Sequence, residues 1–593
     1  DRWPTMDALL GQLEQLLRPP RRLRWGAAAA TLVVGFSAGA LAVAEFQDDP
    51  CLDAYAALEG TWGPADKNAV ETAFLASGHA EAPQLWRRVE AELDDYTRAW
   101  ETLYQQSCQA NAASQTLEPP FEQRVRCLRR HQGRLRATVD ALAQVSSAPE
   151  AFDHAVLPFK LPVIESCADP HAIDSTLSLP VEPELQARVE HLRRKIDQAN
   201  TLAEAGMLPA AIDQARVVVE EARGADHPPV LAEALEALGR FQSLGVSGRD
   251  AESTLQEAIM VAASAKSDII AARAWTSLIH AVTIQDQLDR AASLRFAATA
   301  AVDRSGDEVA RGWLLNNLGI LYGQRREYEQ ARAYLERALA VKQSMLGPEH
   351  LDVGIAWFNL GNALNGDDRL DEARDAFERA RSIFVQTVGS SHPHVAFVET
   401  GLGHVRRTEG RLAQAAVHYR QALEISERAR GPNDLRVAKS LQYLGEVQAE
   451  AKQLDEAARH LERARKIYER VMGPDTAQVG VCLVSLSNVE RARGRRAQAR
   501  VLAERAMALL DDGFPLDEAR ARLALAHALE DLPDQRAHAR ALAQQALEDL
   551  PTADRPDVET WLAKHPAEDA ATAAAAAADA ALAAPAETLP HAR

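Results

Sequence analysis

Between Gly312 and Leu510 the apolar and small residues return with a spacing of 42. Leu318-Gly319 recurs as Leu360-Gly361, Leu402-Gly403 and Leu444-Gly445, and then as Leu486-Ser487. Twelve residues after each second member stands an alanine (Ala331, Ala373, Ala415, Ala457, Ala499), and seven further another (Ala338, Ala380, Ala422, Ala464, Ala506). Leu315, Leu318, Gly319 and Tyr322 fall at i, i+3, i+4 and i+7 and share one face of a first helix. Ala331, Leu335 and Ala338 do the same on a second. Gly and Ala let the two backbones approach closely, while Tyr322 and Leu335 fill what space remains. Gly347-Pro348 stops the second helix, because Gly tolerates the left-handed cap and Pro cannot continue the helix. The stop returns as Gly431-Pro432 and Gly473-Pro474, with Gly389-Ser390 as a looser copy. A fixed period of this length predicts a solenoid of helix pairs, each burying its apolar face against its neighbours.

The pattern reaches beyond the clean copies. Ala199, Leu238-Gly239 and Leu278-Ile279 precede Leu318-Gly319 at a period of 40, with Ala211, Ala251 and Ala291 twelve residues on. Ala539 and Ala546 form a degraded last pair. Nine helix pairs are therefore expected over 190–552, with a capping helix around Trp561 over 553–566. Cys482, among Val481, Leu483 and Val484, reads as a small core residue. Residues 567–593 are Ala-rich low complexity without a core. These repeats resemble the tetratricopeptide repeat, whose unit is 34 residues. The eight extra residues lie before the Gly-Pro stop and would lengthen the second helix by up to ~12 Å. With Leu-Asn-Asn-Leu-Gly at 315–319 and His392-Pro393-His394-Val395, the 42-residue form resembles the repeats of kinesin light chain and its bacterial relatives. The resemblance implies an all-α, right-handed superhelical solenoid.

Upstream, Met6, Leu9, Leu10, Leu13, Leu16 and Leu17 make one stripe of a short helix over 1–17, followed by a basic linker over 18–25. Residues 26–44 carry no charge and make ~28 Å of helix, enough to cross a bilayer core of ~30 Å. Arg18, Arg21, Arg22 and Arg24 precede this stretch and Glu45, Asp48 and Asp49 follow it. The positive-inside rule then puts the N-terminus in the cytoplasm and everything after residue 45 outside. Gly35 and Gly39 form a small-xxx-small pair able to bring two such helices together as a homodimer. Two other readings of 26–44 stay open: a signal cleaved after Ala42-Val43-Ala44, which would make the chain a secreted periplasmic scaffold, and a buried Ala-rich core helix.

Residues 46–180 form a separate helical unit, with helices over 66–77, 84–110 and 119–145. Trp62, Phe74, Trp86, Leu93, Tyr96, Trp100 and Leu103 are its core candidates. Four cysteines, Cys51, Cys108, Cys127 and Cys167, suggest two disulfides in an exported segment, with three connectivities available. A helical hairpin would favour Cys108 with Cys127, leaving Cys51 with Cys167. No pair has the C-x-x-C spacing of a zinc site.

The opening Asp1-Arg2-Trp3-Pro4-Thr5-Met6-Asp7 resembles the last subdomain of bacterial Hanks-type Ser/Thr protein kinases. The Cys and Trp layout of 46–180 is similar to the segment between membrane helix and repeats in myxobacterial-type receptor kinases. The resemblance implies the C-terminal region of an inner-membrane, single-pass kinase, with ATP and Mg bound by a catalytic domain this chain lacks. The chain begins with Asp rather than Met, as a fragment or processed product would. It contains no kinase Gly-rich loop, His-Arg-Asp or Asp-Phe-Gly, and no cofactor is expected in it.

A net charge of -19 and a pI near 5.4 argue against a nucleic-acid partner, which would require a basic face. Neither G-x-S-x-G nor His-Glu-x-x-His occurs. His392, His394 and His404 lack a carboxylate at fixed spacing and read as solvated loop side chains, so no metal is expected. Binding of a protein or peptide remains. In the tetratricopeptide family the first helices line a concave groove, and the resemblance assigns to it Asn316, Asn317, Ile320 and Gln324, then Phe358, Asn359, Asn362 and Asn365. The next units supply Thr400, His404 and Arg407, then Gln442, Tyr443, Glu446 and Glu450. Amides both donate and accept, so Asn317 and Asn359, one repeat apart, would clamp an extended peptide backbone.

Overall fold

The computed structural model describes residues 60–113, 119–168, 182–245, 248–510, 515–532, 535–550 and 555–566, together with Leu58 and Pro180. All fall within one compact unit that begins at Ala57. Residues 1–57, which include the kinase-like opening, the uncharged stretch, Gly35, Gly39 and Cys51, lie outside the described residues, as does the tail from 567. Among the described residues no helix is long and apolar enough to cross a membrane.

The described chain is helical, and nine antiparallel helix pairs follow one another from residue 183. They are α5 (Pro183–Glu204) with α6 (Leu208–Arg223), α7 (Pro228–Leu244) with α8 (Gly248–Ser264), and α9 (Asp268–Thr283) with α10 (Leu288–Ser305). Then come α11 (Glu308–Gln324) with α12 (Tyr328–Leu346), α13 (Leu351–Gly366) with α14 (Leu370–Thr387), and α15 (Pro393–Thr408) with α16 (Leu412–Arg430). The last are α17 (Leu435–Glu450) with α18 (Leu454–Met472), α19 (Ala477–Ala492) with α20 (Arg496–Leu510), and α21 (Pro515–Leu529) with α22 (Arg536–Asp549). A final helix, α23 (Arg555–Lys564), covers the end with buried Val558 and Trp561. The fold is a tetratricopeptide-like solenoid.

Four consecutive pairs, α11/α12 to α17/α18, each close on a glycine, as does α7 with α8 at Gly239. A Cβ at Gly319, Gly361, Gly403 or Gly445 would stand 2.4, 2.8, 2.5 and 2.7 Å from Leu335, Phe377, Tyr419 and Leu461, the residues sixteen positions on. Those four side chains are fully buried. At the fifth copy the glycine becomes Ser487 and the matching large residue becomes Ala503, so side-chain volume moves from one helix to the other. Second helices such as α12, α16 and α18 run 19 residues against 16 or 17 for their partners, and stop where Gly347, Gly431 and Gly473 take φ of 81°, 81° and 97°. Five of the first helices start on side-chain caps: His227, Asp307, His350, His392 and Asp434 each accept from a backbone N–H two or three residues on.

Before the repeats, α1 (Pro64–Ala76), α2 (Ala82–Ala113) and α3 (Pro119–Leu142) are followed by the short α4 (Ala148–His154) and two 3-10 turns, Leu157–Lys160 and Ile164–Ala168. Phe74, Leu85, Leu93, Trp100 and Leu128 fill the core, and the Trp100 indole donates to the Leu128 carbonyl at 2.7 Å. The hairpin pairing of cysteines does not hold: Cys127 is bonded to Cys167, not to Cys108. The face of α3 that carries Cys127 and buried His131 is turned toward the Ile164–Ala168 turn rather than toward the far end of α2, and His131 Nδ1 lies 3.6 Å from Cys167 Sγ. Cys108 is itself disulfide-bonded.

This unit is fastened to the solenoid at both ends. On α3, Arg134 donates to the Asp197 carbonyl (2.7 Å), Thr201 Oγ1 (3.2 Å) and Glu204 (2.7 Å) of α5. Arg130 and Arg193 together hold Glu233 of α7 at 3.1 and 2.6 Å. Burial pushes the Glu233 carboxyl up, but the two guanidinium groups outweigh it and bring it below the ordinary range. Farther along, Val156 and Phe159 enter the same core as Leu351, Val353, Phe384 and Val395.

Gly361→Leu forces a branched side chain into Phe377 and is expected to lower stability by roughly 1 to 3 kcal/mol through overpacking. Urea unfolding followed by circular dichroism measures it, and an unchanged midpoint would contradict this packing.

Candidate functional site

The residues assigned to the groove fall into two networks. In the first, Asn317 Nδ2 donates to the Thr276 carbonyl of α9 at 3.1 Å, and Asn359 Nδ2 donates to Asn316 Oδ1 at 2.9 Å. Asn316 and Asn317 are buried and lie 3.5 Å apart at their amides. The amides thus tie α9, α11 and α13 to one another across successive repeats. Asn359 is half-buried and Asn362 exposed, so the open amide surface sits one repeat later than the buried pair.

The second network spans α15 to α19. Tyr419 and His404 Nδ1 share a hydrogen bond of 2.8 Å, the His404 ring meets Tyr443 edge-on at 4.7 Å, and Tyr419 stacks on Tyr443 at 5.7 Å. Burial, with Arg407 and Lys439 nearby, lowers His404 to about 4, so its imidazole is neutral at physiological pH. Arg407 Nε donates to Glu450 at 2.8 Å, and another of its nitrogens lies 3.7 Å from Glu446. Gln442 is buried, donating to Glu446 at 2.9 Å and accepting from the Tyr468 hydroxyl at 3.3 Å; Ser485 of α19 also donates to Glu446 at 3.0 Å. These groups hold five successive elements in register.

Between the two networks lies a floor in which the assigned Phe358 and Tyr443 are joined by Phe397, Arg436 and Lys439, which the assigned positions leave out. Phe397 is 39% exposed and sits 6.3 Å from the ring of Phe358; the Arg436 guanidinium lies 5.9 Å from the Phe397 ring. Lys439 is exposed and lies 4.9 Å from the Tyr443 ring. Phe397 and Lys439 each stand six residues before a repeat glycine, as Trp313 and Ile355 do. That spacing was the available signal for them.

The histidines depart from the expectation. His392 is buried and His394 half-buried, because the helical unit before the repeats covers the start of α15. His404 is half-buried in the second network rather than solvated in a loop. Among the described residues one cluster has metal-ligand chemistry, Cys127, His131 and Cys167. Its two sulfurs are bonded to each other, which leaves a single imidazole as donor.

In sequence, residues 310–386 match the tetratricopeptide repeat family and residues 349–587 a MalT-like TPR region. The chain carries a tetratricopeptide repeat region. No curated protein matches it. Similar solved structures include BtubC (BKLC) from P. vanneervenii, 21% identical over 38% of this chain and 91% of that one, with a TM-score of 0.33. Kinesin light chain TPR-like repeats from Podosopora anserina are 21% identical over 33% and 92%, with a TM-score of 0.29. The apo form of RapI is 14% identical over 60% and 97%, with a TM-score of 0.44. Repeats of this type typically mediate contacts between proteins.

Asn317→Ala removes the hydrogen bond to Thr276 from a buried site and is expected to cost about 1 kcal/mol. Asn362→Ala, on the exposed face, is expected to stay within about 0.5 kcal/mol of the parent. Denaturant midpoints measured side by side check both; equal losses would contradict this division of roles.

Proposed function

We propose that the chain is the ligand-binding, extracytoplasmic sensor region of a membrane-anchored Ser/Thr protein kinase, and that it captures a protein or peptide along its first helices. The observation that carries the binding half is the open aromatic floor at Phe358, Phe397 and Tyr443, with Arg436 and Lys439 beside it. An exposed phenylalanine flanked by cations is a costly surface to leave to water, and it suits a partner that buries apolar area and brings hydrogen-bonding groups. The two networks on either side hold this floor rigid, so a ligand would meet a preformed surface.

The signalling half rests on sequence. The uncharged stretch 26–44 between arginines and acids supports a single inner-membrane span with the repeats outside, and Asp1-Arg2-Trp3-Pro4 supports a kinase lobe on the cytoplasmic side. In this reading ligand capture changes how two membrane helices associate, with Gly35 and Gly39 at their contact, and thereby biases the kinases as a homodimer. ATP and Mg belong to the catalytic domain.

Protease added to intact spheroplasts is expected to digest the repeats without detergent. Repeats that survive until detergent is added would overturn the orientation. Phe397→Ala is expected to weaken partner capture about tenfold or more, as loss of a central aromatic contact does, with the denaturant midpoint little changed. Unaltered capture would remove the floor from the binding surface.

A further inference from the structure

The segment 147–160 is read by the solenoid in two places that repeat one another. At the first, His392 caps α15 by accepting the His394 N–H at 3.2 Å, and its imidazole packs edge-on against Phe152, ring centroids 6.0 Å apart. The next residue, Asp153, is held by both terminal nitrogens of Arg430. At the second, His350 caps α13 by accepting the Asp352 N–H at 3.1 Å, with the Phe159 main chain facing its imidazole. The next residue, Lys160, is paired with Asp352. Seven residues along the segment thus correspond to one 42-residue repeat along the solenoid. Each seat is a helix-capping imidazole that faces a phenylalanine of the segment, followed by an ion pair.

We infer that 147–160 is a latch on the rim of the solenoid, and that acid releases it by protonating the two capping imidazoles. A ring nitrogen that accepts a backbone N–H cannot also carry a proton, so each cap requires neutral histidine. Protonation breaks the cap and places a cation beside existing cations at the same moment. Around His392 these are His394, Arg430 and Arg436; around His350 they are Lys160 and Lys342, with Asp352 opposing them.

Three further histidines act in the same direction. His79 packs edge-on against Phe152 at 4.3 Å, and burial lowers it despite Glu81. His154 is buried with neither ring nitrogen hydrogen-bonded, and burial lowers it against the pull of Asp153 and Glu150. Burial also lowers His394 to about 4. All five histidines therefore hold less proton when docked than when released. Their contribution is complete above about 6.5, the ordinary histidine value, and is lost as pH falls below it toward the lowered values of the docked rings, about 4 for His394.

The carboxylates do not cancel this. Burial lifts Asp153 in spite of Arg430, so its charge also weakens in acid. Burial pushes Asp352 up, but Lys160 and Lys342 hold it well below the usual carboxylate range, so the second ion pair persists. Release should therefore begin at His392.

The test is hydrogen–deuterium exchange of the whole chain between pH 7.5 and 4.5, corrected for the intrinsic pH dependence of exchange. Wild type is expected to lose at least tenfold protection over 147–160 while α17 and α18 keep theirs. His350→Asn/His392→Asn replaces each cap with an amide that accepts the same N–H without titrating, and is expected to retain protection to at least one pH unit lower. If that variant is already released at pH 7.5, His392→Asn alone is judged by the same criterion. Loss at the same pH in wild type and variant, loss only together with α17 and α18, or no loss down to pH 4.5 would each overturn the inference.

Discussion

The contact on which the rest depends is the approach of a second helix to the glycine of its partner. With no Cβ at Gly319, Gly361, Gly403 or Gly445, Leu335, Phe377, Tyr419 and Leu461 lie directly on backbone. That closeness fixes the tilt of these four pairs, and 42-residue repetition of the tilt aligns their first helices along one continuous face. The two polar networks and the aromatic floor between them are consequences of that alignment. Asn317 reaches Thr276, and Arg407 reaches Glu450, only because neighbouring first helices are held at a constant offset.

A second consequence appears on the rim. Regular stacking presents helix starts at regular intervals, and at two adjacent starts the cap is a histidine rather than the aspartate found at Asp307 and Asp434. A histidine cap has a second nitrogen to offer, which an aspartate does not. The unit before the repeats sets Phe152 and Phe159, seven residues apart, against these two histidines. The rim and the groove face are therefore separate surfaces of one stack, one holding the chain's own segment and the other open.

The solenoid was legible because its determinants are local and repeated: leucine, glycine and alanine at helical spacing, and Gly-Pro at the stops. What escaped the sequence is whatever does not repeat. His392 and His394 look like loop residues until a segment some 240 positions upstream lies over them. Cys127 finds Cys167 because α3 turns one particular face toward a 3-10 turn, which helix lengths alone do not specify. Asn317 has the position of a groove residue, but the neighbouring repeat takes its amide first. Phe397 and Lys439 carry a periodic signal, yet positions occupied by Trp, Ile, Phe and Lys in turn have no single chemical character to notice.

The claim at the centre is that glycine and large residue act as one interlocked pair, and Ser487 with Ala503 provides the template for testing it. The measurement is a double-mutant cycle on Gly445→Ser and Leu461→Ala, read as unfolding free energies in urea. Interlocking predicts that the serine is strongly destabilising beside Leu461 and is tolerated beside alanine, with a coupling of about 1 kcal/mol or more. Two effects that simply add, to within about 0.3 kcal/mol, would mean that the helices are not held by this contact.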